Sequence, residues 1–516
     1  MTTLEPLEPS IDPTLGALAD SILIPPFPGT TAPGWLLRAL SRGLAGVTFF
    51  GPNMTGDTLA LTAALRAAAP TEPVIAIDEE GGDVTRLAYA SGSPYPGNAA
   101  LGAVDDVALT RSVYAAIGAD LARLGINTDL APDADVLDLS GSLVVGTRSF
   151  GPDTALVARH VAAAVAGLQS SGVAACAKHF PGHGSTGDDS HLSLATVSGT
   201  LAEIRVRDLA PFVAAIDAGS LAVMPGHLRV PELTGALPAT LSPAAVKGLL
   251  RGELGFSGLV ICDALEMKAA SALFGIPEAA VLAVIAGVDL LCLGRDTDEA
   301  MYHAVRSAIA EAVTSGRLAG DRLEEAAAQV ASLRARLAAW RSASAARGDG
   351  HGTPGGTAGG SVGGTAGGTA GGGVGAGDEI GLVAARRALR RSGPVPTALV
   401  DPLIVEVEPE ENMAAGRFAW GFEPWAAVKR IDPAAGDGAA AESILGSSAG
   451  RPLVVAVRDA RRVLALVNDV LAARPDAVIV EMGVSAWTPP PGTAYLATYG
   501  ASRVCARAAA EALGLA

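Results

Sequence analysis

The sequence predicts an α/β protein: a (β/α)8 TIM-like barrel followed by a smaller α/β domain. Three observations support this prediction. Short apolar runs alternate with helical patterns over residues 1–346, as they do in repeated strand–helix units. Polar residues follow the ends of these apolar runs, and a long glycine-rich segment separates the first part of the chain from a second alternating pattern.

The strand candidates of the first part are apolar runs, and several contain no alternating polar residue, which is typical of parallel strands covered on both faces. They occupy residues 46–50, 74–78, 127–130, 174–180, 221–224, 258–263 and 288–293. Helical patterns lie between and after them, at residues 58–69, 109–124, 154–170, 243–253 and 301–341. This alternation fits either a (β/α)8 barrel or a doubly wound sheet.

Polar side chains at the ends of nearly all these strands favour the barrel. They are Asp78, Asp133, Lys178, His179, His227 and Asp263. The carboxyl ends of barrel strands converge on one face, where active sites lie, whereas a doubly wound sheet concentrates its site at one switch point. We therefore expect these residues to share one site.

A glycine-rich segment marks the domain boundary. Sixteen of the 30 residues from 348 to 377 are glycine, and such a segment has few side chains to bury and a large ordering entropy. The predicted division is a catalytic barrel at 1–346, a flexible linker at 347–377 and a second domain at 378–516. In that domain, strands are predicted at 398–400, 403–407, 453–457 and 477–481, and helices at 460–473 and 502–513.

Composition excludes several classes of function. The chain has 37 basic and 53 acidic residues, a net charge of −16, which disfavours a nucleic-acid partner. Its 4 cysteines are scattered, without the spacing of a disulfide framework or a zinc site. The acidic N-terminus has no signal-peptide pattern, and no apolar run has the length of a membrane span. We expect a cytoplasmic protein without a membrane partner, and its oligomeric state stays open.

The densest chemical motif runs from Lys178 to His191 and begins with the letters KHFPGHG. It places three of the seven histidines within 13 residues, starting at a strand end. A polar loop with incidental histidines and a zinc site are both possible interpretations, but the spacing supports acid/base chemistry better. Asp189 lies two residues before His191, so a bent loop could bring its carboxylate to the imidazole and orient it for proton transfer. Lys178 and His179 could hydrogen-bond sugar hydroxyls.

Two further motifs follow predicted strands. The apolar run at 258–263 ends in a single carboxylate, Asp263, which could carry chemistry or merely cap the next helix. The run at 74–78 leads into Asp78, two glutamates, a Gly-Gly pair and Arg86, a set that could bind a metal or polyol hydroxyls. Neither motif is decisive alone.

Together the three motifs resemble glycoside hydrolase family 3, specifically its β-N-acetylglucosaminidase branch, over roughly residues 18–293. The resemblance implies a (β/α)8-like barrel, often followed by an α/β sandwich domain, and a retaining exo-acting enzyme. Asp263 matches the catalytic nucleophile, and His191 matches the general acid/base, with Asp189 as its partner. The matched sugar-binding residues are Asp78, Arg86, Arg148, Lys178 and His179, and His227 is a weaker pocket candidate.

The chain departs from the family pattern at two positions. Asp133 stands where an apolar residue is more common, and Glu79 stands where other members often carry Gln. The leading hypothesis is release of terminal N-acetylglucosamine, with peptidoglycan fragments as the substrate and a small carbohydrate as the only implied partner. A phosphorylase, a β-glucosidase, a sugar-binding protein without activity and a zinc hydrolase stay as alternatives. The resemblance implies no cofactor and no metal.

Overall fold

The computed structural model describes residues 11–139, 144–186, 194–346, 376–408, 420–433 and 436–516. Its strands are β1 (Leu23–Ile24), β2 (Gly46–Phe49), β3 (Val74–Ile77), β4 (Thr128–Asp129), β5 (Ala174–Phe180), β6 (Ala195–Thr196), β7 (Ala222–Pro225), β8 (Leu228–Arg229), β9 (Leu259–Val260), β10 (Leu291–Cys292), β11 (Arg390–Ser392), β12 (Leu403–Val407), β13 (Val428–Ile431), β14 (Leu453–Val457), β15 (Val478–Glu481) and β16 (Ala494–Ala497).

The α-helices are α1 (Pro13–Asp20), α2 (Gly34–Ser41), α3 (Thr58–Ala68), α4 (Asn98–Val104), α5 (Val107–Arg123), α6 (Thr154–Ser170), α7 (Leu201–Arg207), α8 (Leu209–Asp217), α9 (Pro231–Thr234), α10 (Lys268–Phe274), α11 (Ile276–Ala286), α12 (Glu299–Thr314), α13 (Gly320–Ala346), α14 (Ala376–Ala388), α15 (Asp437–Ser447), α16 (Leu464–Ala473) and α17 (Arg503–Ala512). The segment Ala244–Glu253 is a π-helix, where the sequence predicts an ordinary helix.

The first part of the chain is built on a parallel sheet of six strands in the order β2-β3-β4-β5-β7-β9. Gly46 lies opposite Val74, and Cys176 lies opposite Ala222. All seven residues of β5 are buried, since helices such as α6 and α8 pack against the sheet. The parallel direction brings the carboxyl ends of all six strands to the same edge.

A second parallel pair, β1 with β10, adjoins both edges of this sheet. The Thr48 amide on β2 donates to the Pro25 carbonyl just after β1, over 3.3 Å. At the other edge, the Cys262 amide donates to the Leu290 carbonyl over 3.0 Å, and Ile261 forms a parallel bridge with Leu290. The described chain therefore has an α/β fold with a half-barrel parallel sheet whose two edge strands both contact the β1–β10 pair.

The second domain has its own six-stranded sheet in the order β11-β16-β15-β14-β12-β13. Every neighbouring pair is parallel except β11 with β16. Alternate residues of each central strand belong to two different apolar clusters: Val455 packs with α15 and α16, and Val454 packs with α17. Helices therefore cover both faces of this sheet.

The two domains pack against each other through α14. One apolar cluster combines Ala100 of α4 with Leu382 of α14 and Val504 of α17. Gly381 lies so close to the first domain that an added Cβ would come within 1.9 Å of the Pro94 carbonyl oxygen, so this helix face requires a glycine. The last two residues of the predicted linker, Ala376 and Gly377, are part of this helix.

The sequence predicts most strands of the two main sheets and misses several short or edge strands. Residues 403–407 and 453–457 are strands with the predicted bounds. The predicted strand at 398–400 is wrong, and the sequence did not predict β1, β6 and β8 in the first domain or β11, β13 and β16 in the second. Two of the missed strands lie at the edges of the second sheet, where β11 is fully exposed and shows no apolar run.

No single helix within the described ranges is long and apolar enough to cross a bilayer; the bent pair of Lys268–Phe274 and Ile276–Ala286 reaches that length and apolar character only in combination.

Candidate active site

The candidate site lies at the carboxyl ends of neighbouring strands of the first sheet. Asp78 follows β3, Lys178 lies within β5, His227 follows β7 and Asp263 follows β9 closely. Because these strands run parallel in one sheet, their carboxyl ends meet at one edge. The structure thus brings together residues from motifs far apart in the chain.

Lys178 is the buried cation at the centre of the site. Its side chain is 2% exposed, and its Nζ donates to Asp78 Oδ1 over 2.6 Å and lies 2.8 Å from Glu80 Oε1. Burial lowers the pKa of Lys178, but Asp78 and Glu80 outweigh that effect and hold the pKa above its usual range. The ammonium group therefore stays charged.

Arg148 is held by a two-point contact with Glu80. Its Nε and Nη2 donate to the two Glu80 oxygens over 2.9 and 2.7 Å, a geometry that fixes the plane of the guanidinium. Burial raises the pKa of Glu80, yet Arg148 and Lys178 outweigh it and hold that pKa well below its usual range. Arg86 approaches the same group of charges, with its Nη2 3.9 Å from Asp78 Oδ2.

His179 is oriented by a carboxylate on one side and an arginine on the other. Its Nδ1 lies 2.8 Å from Asp135 Oδ2, and its Nε2 lies 3.3 Å from Arg148 Nη2. Because arginine can only donate, Nε2 accepts, and Nδ1 carries the proton that it donates to Asp135. Burial raises the pKa of Asp135, but His179 and His183 outweigh it and lower the pKa to about 2.

Asp133, the departure from the family pattern, is a second buried carboxyl beside this pair. Its side chain is fully buried, its Oδ1 accepts from the Asp135 amide over 3.0 Å, and its Oδ2 has no hydrogen-bond partner among the described residues. Burial, and after it the charge of Asp135, raises the pKa of Asp133 well above its usual value. We therefore assign the neutral form to Asp133 and the ionised form to Asp135.

Asp133, Asp135 and His179 also form a group that could hold a metal ion, with their ligand atoms within 4.8 Å of one another. In the structure, however, Asp135 and His179 use those atoms to hydrogen-bond each other, and the Arg148 guanidinium lies 3.8 Å from Asp133 Oδ2. A cation here would displace the His179 proton and meet a fixed positive charge.

The opposite charge states of the two aspartates predict different responses to the same substitution. We expect Asp135→Asn to lower kcat/KM by roughly 30-fold, since a hydrogen bond to a charged group contributes about 2 kcal/mol. Asp133→Asn replaces a neutral carboxyl with an amide of the same shape, and we expect a change below about threefold. Steady-state kinetics on both variants measure this, and equal losses would contradict the assignment of charge.

Glu79, the other departure, shapes the loop that carries Arg86. Its Oε2 accepts from the Thr85 hydroxyl over 2.9 Å and from the Arg86 and Leu87 amides over 2.8 and 2.9 Å. Burial raises the pKa of Glu79 to about 7, although these hydrogen bonds oppose the rise. The carboxyl group thus fixes the turn between Asp78 and Arg86. At higher pH it carries a buried negative charge.

This raised pKa predicts a pH-dependent gain from Glu79→Gln. Between pH 4.5 and 7 the folded chain binds more protons at this site than the unfolded chain, so wild-type stability falls as the pH rises. We expect the free energy of unfolding of Glu79→Gln, relative to wild type, to increase by about 3 kcal/mol from pH 4 to pH 8. Urea unfolding at both pH values measures this. Glu324→Gln, at an exposed position on α13, is the control, and an equal pH response in both variants would refute the prediction.

Asp263 shares the electrostatic surroundings of Asp78. Burial is the main cause that raises the pKa of both Cys176 and Cys292, and the charges of Asp78 and Asp263 each add to it. Two carboxylates from different strand ends therefore act on the same two buried thiols. Asp263 itself accepts from the Ala264 amide through Oδ1 over 2.8 Å and keeps part of its surface exposed.

His227 contacts the backbone beside Asp263. Its side chain is fully buried, and its Nε2 donates to the Ala264 carbonyl over 3.0 Å. This contact supports the loop of Asp263. Direct sugar binding by His227 stays a prediction.

The other two predicted catalytic residues, Asp189 and His191, lie outside the described residues. Two residues important for the geometry were absent from the predicted site: Glu80, which holds both Lys178 and Arg148, and Asp135, which orients His179. Both were visible as acids in strand-end motifs. Their partners Arg148, Lys178 and His179 lie 44 to 98 positions away in the chain, so sequence spacing does not reveal them.

The site combines fixed cations, paired carboxylates and a partly exposed aspartate, a set of groups suited to binding hydroxyls and to acid–base or nucleophilic chemistry on a sugar. Comparison with known proteins identifies this class as the glycoside hydrolases. The family described as "Glycosyl hydrolase family 3 N terminal domain" matches residues 42–333. The chain belongs to glycosyl hydrolase family 3, which confirms the resemblance drawn from its motifs.

Several relatives carry a more specific name. A Beta-hexosaminidase of Stenotrophomonas maltophilia is 38% identical over 273 residues, which are 51% of this chain and 80% of the relative. Beta-hexosaminidase LpqI of Mycobacterium tuberculosis is 36% identical over 281 residues, 53% of this chain and 71% of the relative. Among solved structures, a glycoside hydrolase family 3 beta-N-acetylglucosaminidase from Paenibacillus sp. str. FPU-7 matches with a TM-score of 0.81, at 29% identity and covering 97% of each chain.

Proposed function

We infer that this chain is an exo-acting β-N-acetylglucosaminidase that releases terminal non-reducing N-acetylglucosamine. The observation that carries the proposal is the position of Asp263, at the strand edge that also holds the Lys178–Asp78 pair. The names of the relatives from Stenotrophomonas and Paenibacillus support the choice of sugar. The proposal includes a complete (β/α)8 barrel, with β1 and β10 as the strands that close the parallel sheet.

The sugar would be bound by groups that are already fixed before it arrives. Glu80 clamps Arg148, Asp78 accepts from Lys178, and Asp135 orients His179. Such preorganised donors and acceptors lose little entropy when a hydroxyl group replaces water. We propose that Asp78, Arg86, Arg148, Lys178 and His179 hold the terminal sugar in this way.

The proposed reaction retains the configuration of the anomeric carbon. Asp263 attacks that carbon and forms a covalent glycosyl-enzyme, while His191 protonates the departing oxygen. His191 then takes a proton from water, which attacks the same carbon and releases the sugar from Asp263. The role of His191, with Asp189 as its partner, rests on the match between the sequence motif and the family.

We propose peptidoglycan fragments as the natural substrate, on the basis of the family association. A fragment of this kind has N-acetylglucosamine linked to an acidic sugar, so the pocket would face an anionic leaving group. The fixed cations Lys178 and Arg148 are compatible with such a substrate, although each is already paired with a carboxylate.

The test of the function compares substrates that differ only at the 2-position of the sugar. We expect efficient release of p-nitrophenol from the N-acetyl-β-glucosaminide and a kcat/KM lower by about 100-fold or more for the β-glucoside, because a missing acetamido group leaves its partners unpaired. The reaction is also run in phosphate buffer. Preference for the glucoside, or sugar 1-phosphate as the main product, would contradict the proposal.

His191 has its own test within this scheme. We expect His191→Ala to lose far more activity on a natural disaccharide than on a p-nitrophenyl glycoside, because p-nitrophenolate leaves without protonation. Equal losses on both substrates would remove His191 as the acid.

A further inference from the structure

A single buried carboxylate, Asp83, connects the second domain to the sugar-site loops. Its side chain is 4% exposed and lies three residues after Glu80, in the loop between Asp78 and Arg86. It accepts hydrogen bonds from both domains. The Thr147 hydroxyl donates to it from the first domain over 2.7 Å, and the Arg458 guanidinium and the Ala501 amide donate from the second domain.

In the first domain, Asp83 accepts a hydrogen bond from Thr147, the residue next to Arg148. Thr147 and Arg148 form one short turn, Gly146–Arg148. Asp83 holds this turn by the Thr147 hydroxyl, Asn98 holds it by the Arg148 carbonyl over 2.6 Å, and Glu80 holds the Arg148 guanidinium. Glu80 and Asp83 belong to the same loop. A shift of Asp83 therefore disturbs both its own contact with Thr147 and the contact of Glu80 with Arg148.

On the side of the second domain, the donors lie next to regular secondary structure. Arg458 directly follows β14, a central strand of the second sheet, and its guanidinium carbon lies 5.8 Å from the centre of the Trp420 ring. Ala501 lies two residues before α17, whose helix dipole also favours a carboxylate at this end. Nearby, Arg461 donates to the Leu139 carbonyl over 2.8 Å, so a second contact joins the domains beside the same loops.

We propose that Arg458 is a positioning residue: through Asp83 and Thr147, the second domain sets the geometry of Arg148 in the sugar pocket. A buried carboxylate that loses a charged partner is left with uncompensated charge and shifts toward other donors. The turn of Thr147 follows, and Arg148 loses its alignment with Glu80. The second domain then contributes to catalysis without placing a side chain on the sugar.

The expected kinetic result follows from this chain of contacts and rests on the proposed glycosidase function. Arg458→Met lowers kcat/KM for the N-acetyl-β-glucosaminide by roughly 10- to 100-fold, the size expected for a displaced binding group. Arg458→Lys keeps the charge and recovers part of this loss. Thr147→Val gives a similar loss. The double variant with Arg458→Met loses no more activity than either single variant, because both substitutions break the same series of contacts from Arg458 through Asp83 to Thr147.

Hydrogen exchange measures how well the turn of Thr147 and Arg148 is held, and it requires no substrate. We expect the amides of residues 144–150 to exchange faster in Arg458→Met than in wild type. Asp83→Asn, which removes the carboxylate that joins Thr147 to Arg458, gives the same change. Arg451→Met is the matched control, because it removes an arginine–aspartate pair with Asp401 in the same domain without touching these loops.

The outcomes separate the two proposals. Unchanged exchange at 144–150 in Arg458→Met, or losses that multiply in the double variant with Thr147→Val, overturns the positioning role. The same increase in Arg451→Met also overturns it, since a general loosening of the domain would then explain the result. Faster exchange specific to Arg458→Met and Asp83→Asn supports the role even if wild type fails to cleave the glucosaminide, a failure that would count against the proposed function alone.

Discussion

Asp263→Ala is expected to lower kcat for p-nitrophenyl N-acetyl-β-glucosaminide by about 10⁴-fold or more, because it removes the group that attacks the anomeric carbon. Folding should change little, since Asp263 keeps part of its surface exposed and lies at the end of a strand whose own residues carry the packing. Steady-state and pre-steady-state release of p-nitrophenol measure the loss. Asp296→Asn, at a position 75% exposed on a neighbouring loop, is the control and should keep its activity.

Azide extends this prediction to the mechanism. In Asp263→Ala, azide can enter the space of the lost carboxylate and attack the anomeric carbon, while p-nitrophenolate leaves. The expected product is the α-glycosyl azide, formed with a single inversion. No rescue by azide, or a β-configured azide, would contradict Asp263 as the nucleophile.

The second large effect concerns Glu80, the carboxylate between two buried cations. Glu80→Gln leaves Arg148 without its bidentate partner and Lys178 with Asp78 alone. We expect a loss of about 3–5 kcal/mol in the free energy of unfolding of the first domain, because the buried cations lose their compensating charge. We also expect kcat/KM to fall by about 100-fold, since the same groups bind the sugar.

Glu72 offers a matched control at the opposite end of strand β3. Glu72 precedes β3 and Glu80 follows it, and each carboxylate is 2% exposed. Glu72 is paired with Arg66 and Arg341, each over 2.8 Å. Glu72→Gln should therefore lose stability while kcat/KM stays within about threefold of wild type, because the strand separates it from the pocket. Normal kcat/KM in Glu80→Gln, or equal kinetic losses in both variants, would show that Glu80 does not serve the site.

The motifs at the strand ends allowed the family to be predicted because they combine rare residue types in a fixed order. The four lysines of the chain include Lys178, which stands beside His179 at the end of an apolar run. Asp263 and Asp78 follow two further runs of the same kind. Several buried parallel strands are continuous apolar runs, so the hydrophobic pattern predicted their positions, although it did not predict the buried strands β1 and β16. The exposed edge strand β11 carries no such signal, and it was missed.

The sequence does not predict which carboxyl groups are ionised or which side chains pair, because both depend on contacts between distant positions. Asp133 and Asp135 look alike in the chain, yet burial leaves one neutral while His179 keeps the other ionised. Lys178 meets Asp78 across 100 positions, through the order of the strands in the sheet. Arg458 meets Asp83 across 375 positions, through the packing of one domain on another. The local pattern of residues thus sufficed for the family and the strand-end site, whereas the packing of strands and domains set which charges meet, because electrostatic energy depends on distance and burial rather than on order along the chain.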